Sequence, residues 1–170
     1  MAFQIAAGMA LRKGVLDAAP KILGAVDERV MIIKGDGVYA NGSQTALSCA
    51  VHQGLVGPDQ RPLVVAKLAA NVEGQNGHLD TGILGAKYLL RTLSENGRHD
   101  VAYRIATQTT APSYGDWLRR DATTLWEDWG DGASRNHIMF GDISAWFYQT
   151  LAGINLDPQR PAFQRIVIRP

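Results

Sequence analysis

Cysteine is nearly absent: Cys49 is the only one in 170 residues. A single thiol excludes an intrachain disulfide and a thiolate metal cluster, and its place in the apolar run LSCAV suits a small buried hydrophobe. Charge of one sign is lacking too. The 17 Lys and Arg against 16 Asp and Glu give no electrostatic footprint for nucleic acid or an anionic membrane, so neither is an expected partner. The one late basic doublet, Arg119 and Arg120, is expected to be a solvated helix end. His52, His78, His99 and His137 show no HExxH or comparable spacing, so nothing points to a metal or an organic cofactor. The apolar run at the start of the chain is far too short to span a bilayer. At the start, MAFQIAAGMALRKG, the basic residues follow the apolar run instead of preceding it, which makes a poor signal peptide. A cytoplasmic location is the expectation.

What is present describes a globular chain. Hydrophobic content of 46% with 19% charged residues suits one packed domain with a real core. Residues 3–33 suggest one or two helices interrupted near Pro20, and 36–41 reads as turns. Asn41 or Ser43 is placed to cap a helix through QTALSCAVHQGL that ends at Gly54 or Gly57. Pro62 predicts a first turn near Arg61 for LVVAKLAANVEG, closing at Gly74. After the polar loop QNGHLDTG comes AKYLLRTLSEN, with Gly97 as its C′ residue, then HDVAYRIATQT with Val101 and Ile105 on its apolar side. A short segment runs from Pro112 through Trp117, and an apolar helix is expected over GDISAWFYQTLAGI. Past the turn DPQRP, Phe163, Ile166 and Ile168 alternate with polar residues as a strand would.

The helices alternate in character. Those after Asn41, Thr81 and Asn136 are richer in small and aromatic residues, whereas those after Pro62 and Arg98 have clearer polar faces. This fits the inner and outer layers of an all-α toroid or solenoid. Loops entering the inner helices would then converge on one rim: NGSQ, GHLDTG and the stretch ATTLWEDWGDGASRNHIMFG.

That last stretch holds Trp126, Glu127, Asp128, Trp129, Asp131, Asn136 and His137 in a Gly-rich, turn-prone loop. Indole faces cover the C–H side of a pyranose, while a carboxylate and an imidazole take its hydroxyls or activate a water. The same composition also suits a capped loop whose Trp residues fill the core. Both readings stand on composition alone.

The motifs QNGHLDTGILGAKYLL, ATTLWEDW, NHIMFGDISAWFYQTLAGI and AFQRIVIRP, with NGSQTALSCAVHQGLV before them, keep an order and spacing that resembles the α-L-rhamnosidases over roughly residues 22–170. The resemblance implies an (α/α)6 barrel of helical hairpins followed by a β-sandwich whose first strand is IVIRP. It implies hydrolysis of terminal α-L-rhamnosyl residues with inversion, with no metal and no cofactor, on a rhamnosylated glycoside or oligosaccharide. Glu127 matches the family's general base in TT-hydrophobe-WE-x-W. His137 matches a residue of the sugar subsite, and Trp126 and Trp129 match the aromatic residues near the base. An inverting glycosidase also needs a protonated carboxylate roughly 6.5–9.5 Å from the base. The family draws it from an acidic cluster in the earlier half of the barrel that has no counterpart here; Asp80, Asp128 and Asp142 are acidic and near the expected rim, but none matches it.

By helix count the chain amounts to about half a barrel. The expected division is therefore an unmatched segment 1–21, the C-terminal part of a six-hairpin glycosidase domain at 22–155, and a linker with one strand at 156–170. Two functions follow: a glycosidase whose barrel is completed by a partner fragment or a second copy, or a non-catalytic helical module that binds carbohydrate or completes another chain. Apolar runs at Leu47–Val51, Leu84–Leu90 and Ile143–Leu151, with an unpaired edge at Arg165–Arg169, would favour self-association.

Overall fold

The computed structural model describes residues 37–160 and 162–169. The helices expected within 3–33 and the segment 1–21 lie outside the described residues.

Among the described residues six helices follow one another, several of them started or stopped by residues that suit the role. Helix α1 (Gln44–His52) is capped by Ser43, whose hydroxyl accepts the Ala46 N–H at 3.2 Å. The other candidate, Asn41, instead accepts the Ser43 N–H at 3.1 Å. Helix α2 (Arg61–Gly74) has Pro62 in its first turn, where no intrahelical donor is needed, and buries Val64, Val65, Leu68, Ala69 and Val72 along one stripe. Helix α3 (Ile83–Glu95) ends in a Schellman turn. Gly97 stands at φ 78°, its N–H bonded to Ser94 O at 3.1 Å while the Arg98 N–H reaches Leu93 O at 2.8 Å. Helix α4 spans His99–Ala106 and α5 spans Tyr114–Arg119, the latter capped by Ser113 through the Asp116 N–H at 3.0 Å. A 3₁₀ turn at Ile138–Phe140 leads into α6 (Asp142–Trp146), which widens into a π-turn at Phe147–Leu151.

Helices α1, α3 and α6 form one row, and α2 and α4 pack behind it against α1 and α3. Buried polar bonds stitch the row together. The Thr92 hydroxyl on α3 donates to the Ser48 carbonyl on α1 at 3.1 Å, and Trp146 Nε1 on α6 donates to Ser94 Oγ at 2.8 Å. Gly85 lets α3 come close to α1, because a Cβ there would overlap the Thr45 hydroxyl and the Thr81 side chain. At the far end Arg98 binds Glu73 at 2.9 Å and Asp100 at 3.2 Å, joining α2 to α4. The observed alternation of layers is the one that the helix compositions suggest.

Three expectations need correction. The last helix does not run to Ile154. Gly153 at φ 63° turns the chain, and β1 (Ile154–Leu156) begins there, inside what reads as the end of an apolar helix and across the boundary drawn at 155/156. The terminal strand β2 (Ile166–Ile168) is accordingly not unpaired: it lies antiparallel to β1, with Ile154 opposite Ile168 and Leu156 opposite Ile166. The apolar run at 47–51 is covered, with Leu47, Ala50 and Val51 all buried, yet Cys49 within it is only half-buried, on the flank of α1. Other apolar groups do face outward: Leu84, Ile138, Tyr148, Phe163 and Ile168 are each more than half exposed.

The hydrophobic interior has two parts. One, largely aliphatic, joins α1 to α4 and reaches Ile143 and Trp146. The other is aromatic, with Trp117, Trp126 and Phe140 buried beside Ala86 and Tyr114 and Trp129 packed against them.

Candidate active site

The loop that carries the candidate residues is folded back on itself like a hairpin. His137 N–H donates to Leu125 O at 2.8 Å, and Glu127 N–H donates to Ser134 O at 2.8 Å. The Thr124 hydroxyl adds a bond to the Arg135 carbonyl. Within this hairpin the Glu127 side chain is fixed: its Oε2 accepts the Ser134 N–H at 3.2 Å. Glu127 and His137 are both partly open to solvent, so each is held by the backbone and still reachable.

Beneath the loop lies the aromatic cluster. Trp117 and Trp129 stack at 4.6 Å between centroids with planes 27° apart, while Tyr114 meets Trp117, Trp129 and Phe140 edge-on. These are the offset-stacked and T-shaped arrangements that ring quadrupoles favour. The Tyr114 hydroxyl donates to Phe140 O at 3.1 Å, and burial first, then the Asp142 charge beside it, push its phenol well above the ordinary range. Tyr114 therefore stays a neutral donor.

The two expected sugar-facing indoles differ in placement. Trp126 is only 4% exposed; it packs on Trp117 at 5.8 Å, and the guanidinium groups of Arg120 and Arg135 lie over its ring at 4.6 and 4.8 Å. Its faces are occupied by protein, as a core-filling Trp would have them. Trp129 is half-buried, and its Nε1 donates to the Thr81 carbonyl at 2.7 Å.

That bond joins the loop to the neighbouring rim segment. The segment 75–82 is in turn gripped by Gln44, fully buried, whose Nε2 donates to His78 O at 3.0 Å while its Oε1 accepts the Asp80 N–H at 3.0 Å. Thus NGSQ, GHLDTG and the WEDW loop do meet at one end of the helices. Of the other acidic candidates, Asp80 is bound by Gln75 Nε2 at 3.1 Å, Asp128 is exposed, and Asp142 sits beside Tyr114 at the start of α6.

Sequence reasoning missed three participants. Gln44 and Thr81 sit within motifs that were recognised, but their hydrogen-bond partners lie more than thirty residues away. Arg120 is not the solvated helix end that its basic doublet suggests: it pairs with Asp116 four residues before it, the spacing that pairs charges on a helix. Among the described residues no three His, Cys, Asp or Glu side chains converge as a metal site, and no helix is long and apolar enough to cross a membrane. A small cleft between α3 and the α6 region, lined by Lys87, Arg91, Asp142 and Gln149 among others, contains none of the four candidate residues.

Residues 19–151 match the family described as the bacterial α-L-rhamnosidase six-hairpin glycosidase domain. The α-L-rhamnosidase of Streptomyces avermitilis is 35% identical over 149 residues, which is 81% of this chain and 14% of that protein. That of Alteromonas sp. (strain LOR) is 32% identical over 155 residues, 85% of this chain and 16% of the relative. Among solved structures, the Streptomyces avermitilis α-L-rhamnosidase in complex with L-rhamnose superimposes with a TM-score of 0.83 at 32% identity, covering 98% of this chain and 17% of that one. The chain thus spans about a sixth of the length of these relatives. With a family match over most of its length and a relative above 30% identity across four-fifths of it, the chain belongs to the bacterial α-L-rhamnosidase six-hairpin glycosidase family.

Proposed function

We propose that this chain supplies the general base and part of the sugar-contacting rim for inverting hydrolysis of terminal α-L-rhamnosyl residues. The observation that carries this reading is the setting of Glu127: a carboxylate aimed by the Ser134 N–H, on a hairpin seated over stacked rings, and open to solvent. A carboxylate held in this way can take a proton from an attacking water. Attack by that water on the anomeric carbon breaks the glycosidic bond, and the departing oxygen takes its proton from a second carboxyl group. We assign that acid to a segment outside the described residues, because none of Asp80, Asp128 and Asp142 matches the acidic cluster from which the family draws it. His137 contacts a sugar hydroxyl, Trp129 flanks the ring, and Trp126 supports the loop from below. The solved relative bound to L-rhamnose supports the choice of sugar.

The exposed apolar groups Leu84, Ile138 and Tyr148 are where the remaining hairpins of a barrel would pack, supplied by a partner fragment or a second copy. Sedimentation of the chain at micromolar concentration is expected to show association, or a shift on adding those hairpins; a sharp monomer indifferent to them removes this part.

The main test is hydrolysis of an aryl α-L-rhamnoside, followed by polarimetry, with the chain alone and with the missing hairpins of a related rhamnosidase added. Release of the inverted sugar that disappears in Glu127→Gln supports the reading. Equal turnover by Glu127→Gln overturns it. Rhamnose binding with no hydrolysis under either condition favours the non-catalytic carbohydrate-binding module instead.

A further inference from the structure

Arg119 and Arg120 leave the end of α5 in different directions. Arg119 turns back, its Nη1 donating to Thr109 O at 2.8 Å. Arg120 reaches into the loop that holds Glu127. Its Nε lies 3.0 Å from Asp116 Oδ2, its Nη2 donates to Trp129 O at 2.8 Å and to Gly130 O at 3.3 Å, and its Cζ sits 4.6 Å above the Trp126 ring. One planar group therefore touches the residue before Glu127 and the second residue after it.

Each of these contacts uses a different property of guanidinium. The Nε edge takes a carboxylate, Nη2 takes two carbonyls, and the flat face stacks on an indole; an ammonium group offers one point charge and no face. Asp116 steadies the arrangement. Its side chain is only 14% exposed, its own N–H is used in the Ser113 cap, and it lies one helical turn before Arg120. The second guanidinium over Trp126, that of Arg135 at 4.8 Å, belongs to the loop and moves with it. Arg120 belongs to the end of α5, so it ties the loop to the helical body.

We propose that Arg120, oriented by Asp116, is the positioning residue that aims the Glu127 carboxylate. This rests on Glu127 being the working base. A displaced Trp126 or Trp129 backbone would swing Glu127, which lies between them, and a base misplaced by even an ångström loses much of its effect on the rate.

The Ser134 amide reports on that aim without any need for turnover, because it donates to Glu127 Oε2. In ¹H–¹⁵N spectra of the chain, Glu127→Gln replaces the charged acceptor by a neutral one and moves the Ser134 resonance, which sets the scale. Arg120→Lys is expected to reproduce roughly half of that displacement or more, and Asp116→Asn a smaller one in the same direction, with the Leu89 and Leu93 amides of α3 unmoved. Should Arg120→Lys fail to fold, Asp116→Asn carries the test by itself. In the hydrolysis assay Arg120→Lys is expected to lower kcat about tenfold, with a smaller rise in KM. A Ser134 resonance left at its original position overturns the inference, as does movement of Leu89 and Leu93 equal to that of Ser134. Normal turnover by Glu127→Gln would remove the base assignment instead, and would leave the Ser134 result standing as a statement about the loop.

Discussion

The aliphatic interior between α1 and α4 and the aromatic cluster under the 124–137 loop are packed by different means. In the first, Val64, Leu68, Val72, Leu89, Leu93 and Ile105 are all essentially inaccessible to water, and their contribution scales with buried apolar area, with little regard to direction. In the second, Trp117, Trp129, Tyr114 and Phe140 meet at defined ring angles, and its margin is fastened by directional bonds: Trp129 to Thr81, Tyr114 to Phe140, Arg120 to Trp129. One region can exchange similar volumes and remain folded. The other fixes where a loop stands, and a small angular error there propagates to Glu127, the proposed base. Stability and aim are thus lodged in separate places.

The sharpest way to test that separation is Glu127→Gln. It is expected to reduce rhamnoside hydrolysis by about 10²–10⁴-fold while the thermal midpoint stays put, since the amide oxygen can still accept from Ser134. A matching loss of midpoint would place Glu127 in the scaffold. Leu93→Ala probes the opposite side. Removing that side chain, 0% exposed, should cost about 2–5 kcal/mol, or roughly 2–4 °C per kcal/mol in a chain of this size, with L-rhamnose binding by the folded fraction unchanged. Altered affinity in calorimetry would show that the two regions are coupled. Trp129→Phe keeps a ring in the stack but leaves the Thr81 carbonyl without its donor, for about 1–3 kcal/mol. Unlike Leu93→Ala, it should also weaken rhamnose binding, because the loop loses its tie to the rim. The mildest change is His137→Ala: a two- to tenfold weaker affinity for L-rhamnose, about the value of one hydrogen bond, without thermal effect. A large drop in midpoint with unaltered binding would mark His137 as structural.

Much of the fold was legible because its signals are local. Ser43, Pro62 and Gly97 each act within one turn of the residues they cap or stop, and the sequence shows them directly. The β1 strand escaped notice because Ile154 and Leu156 continue an apolar helical pattern, and only the left-handed turn at Gly153 separates them from it. The site divided along the same line. The spacing of Trp126, Glu127 and Trp129 exposes the motif, but cannot say which indole lies buried under two guanidinium groups and which bonds to a rim segment 48 residues earlier. Arg120 is likewise ordinary in sequence and becomes informative only when the loop folds over it.

The buried amide of Gln44 carries a consequence of a different kind. It clamps the 78–80 backbone through one donated and one accepted hydrogen bond, and neither end of an amide ionises. A glutamate of the same length would hold the segment in one protonation state and release it in the other. With glutamine there, the strut between the first two rim segments is indifferent to acidity. As the solution grows more acidic or more basic, the carboxylates of the rim can gain or lose protons while this part of their frame keeps its shape.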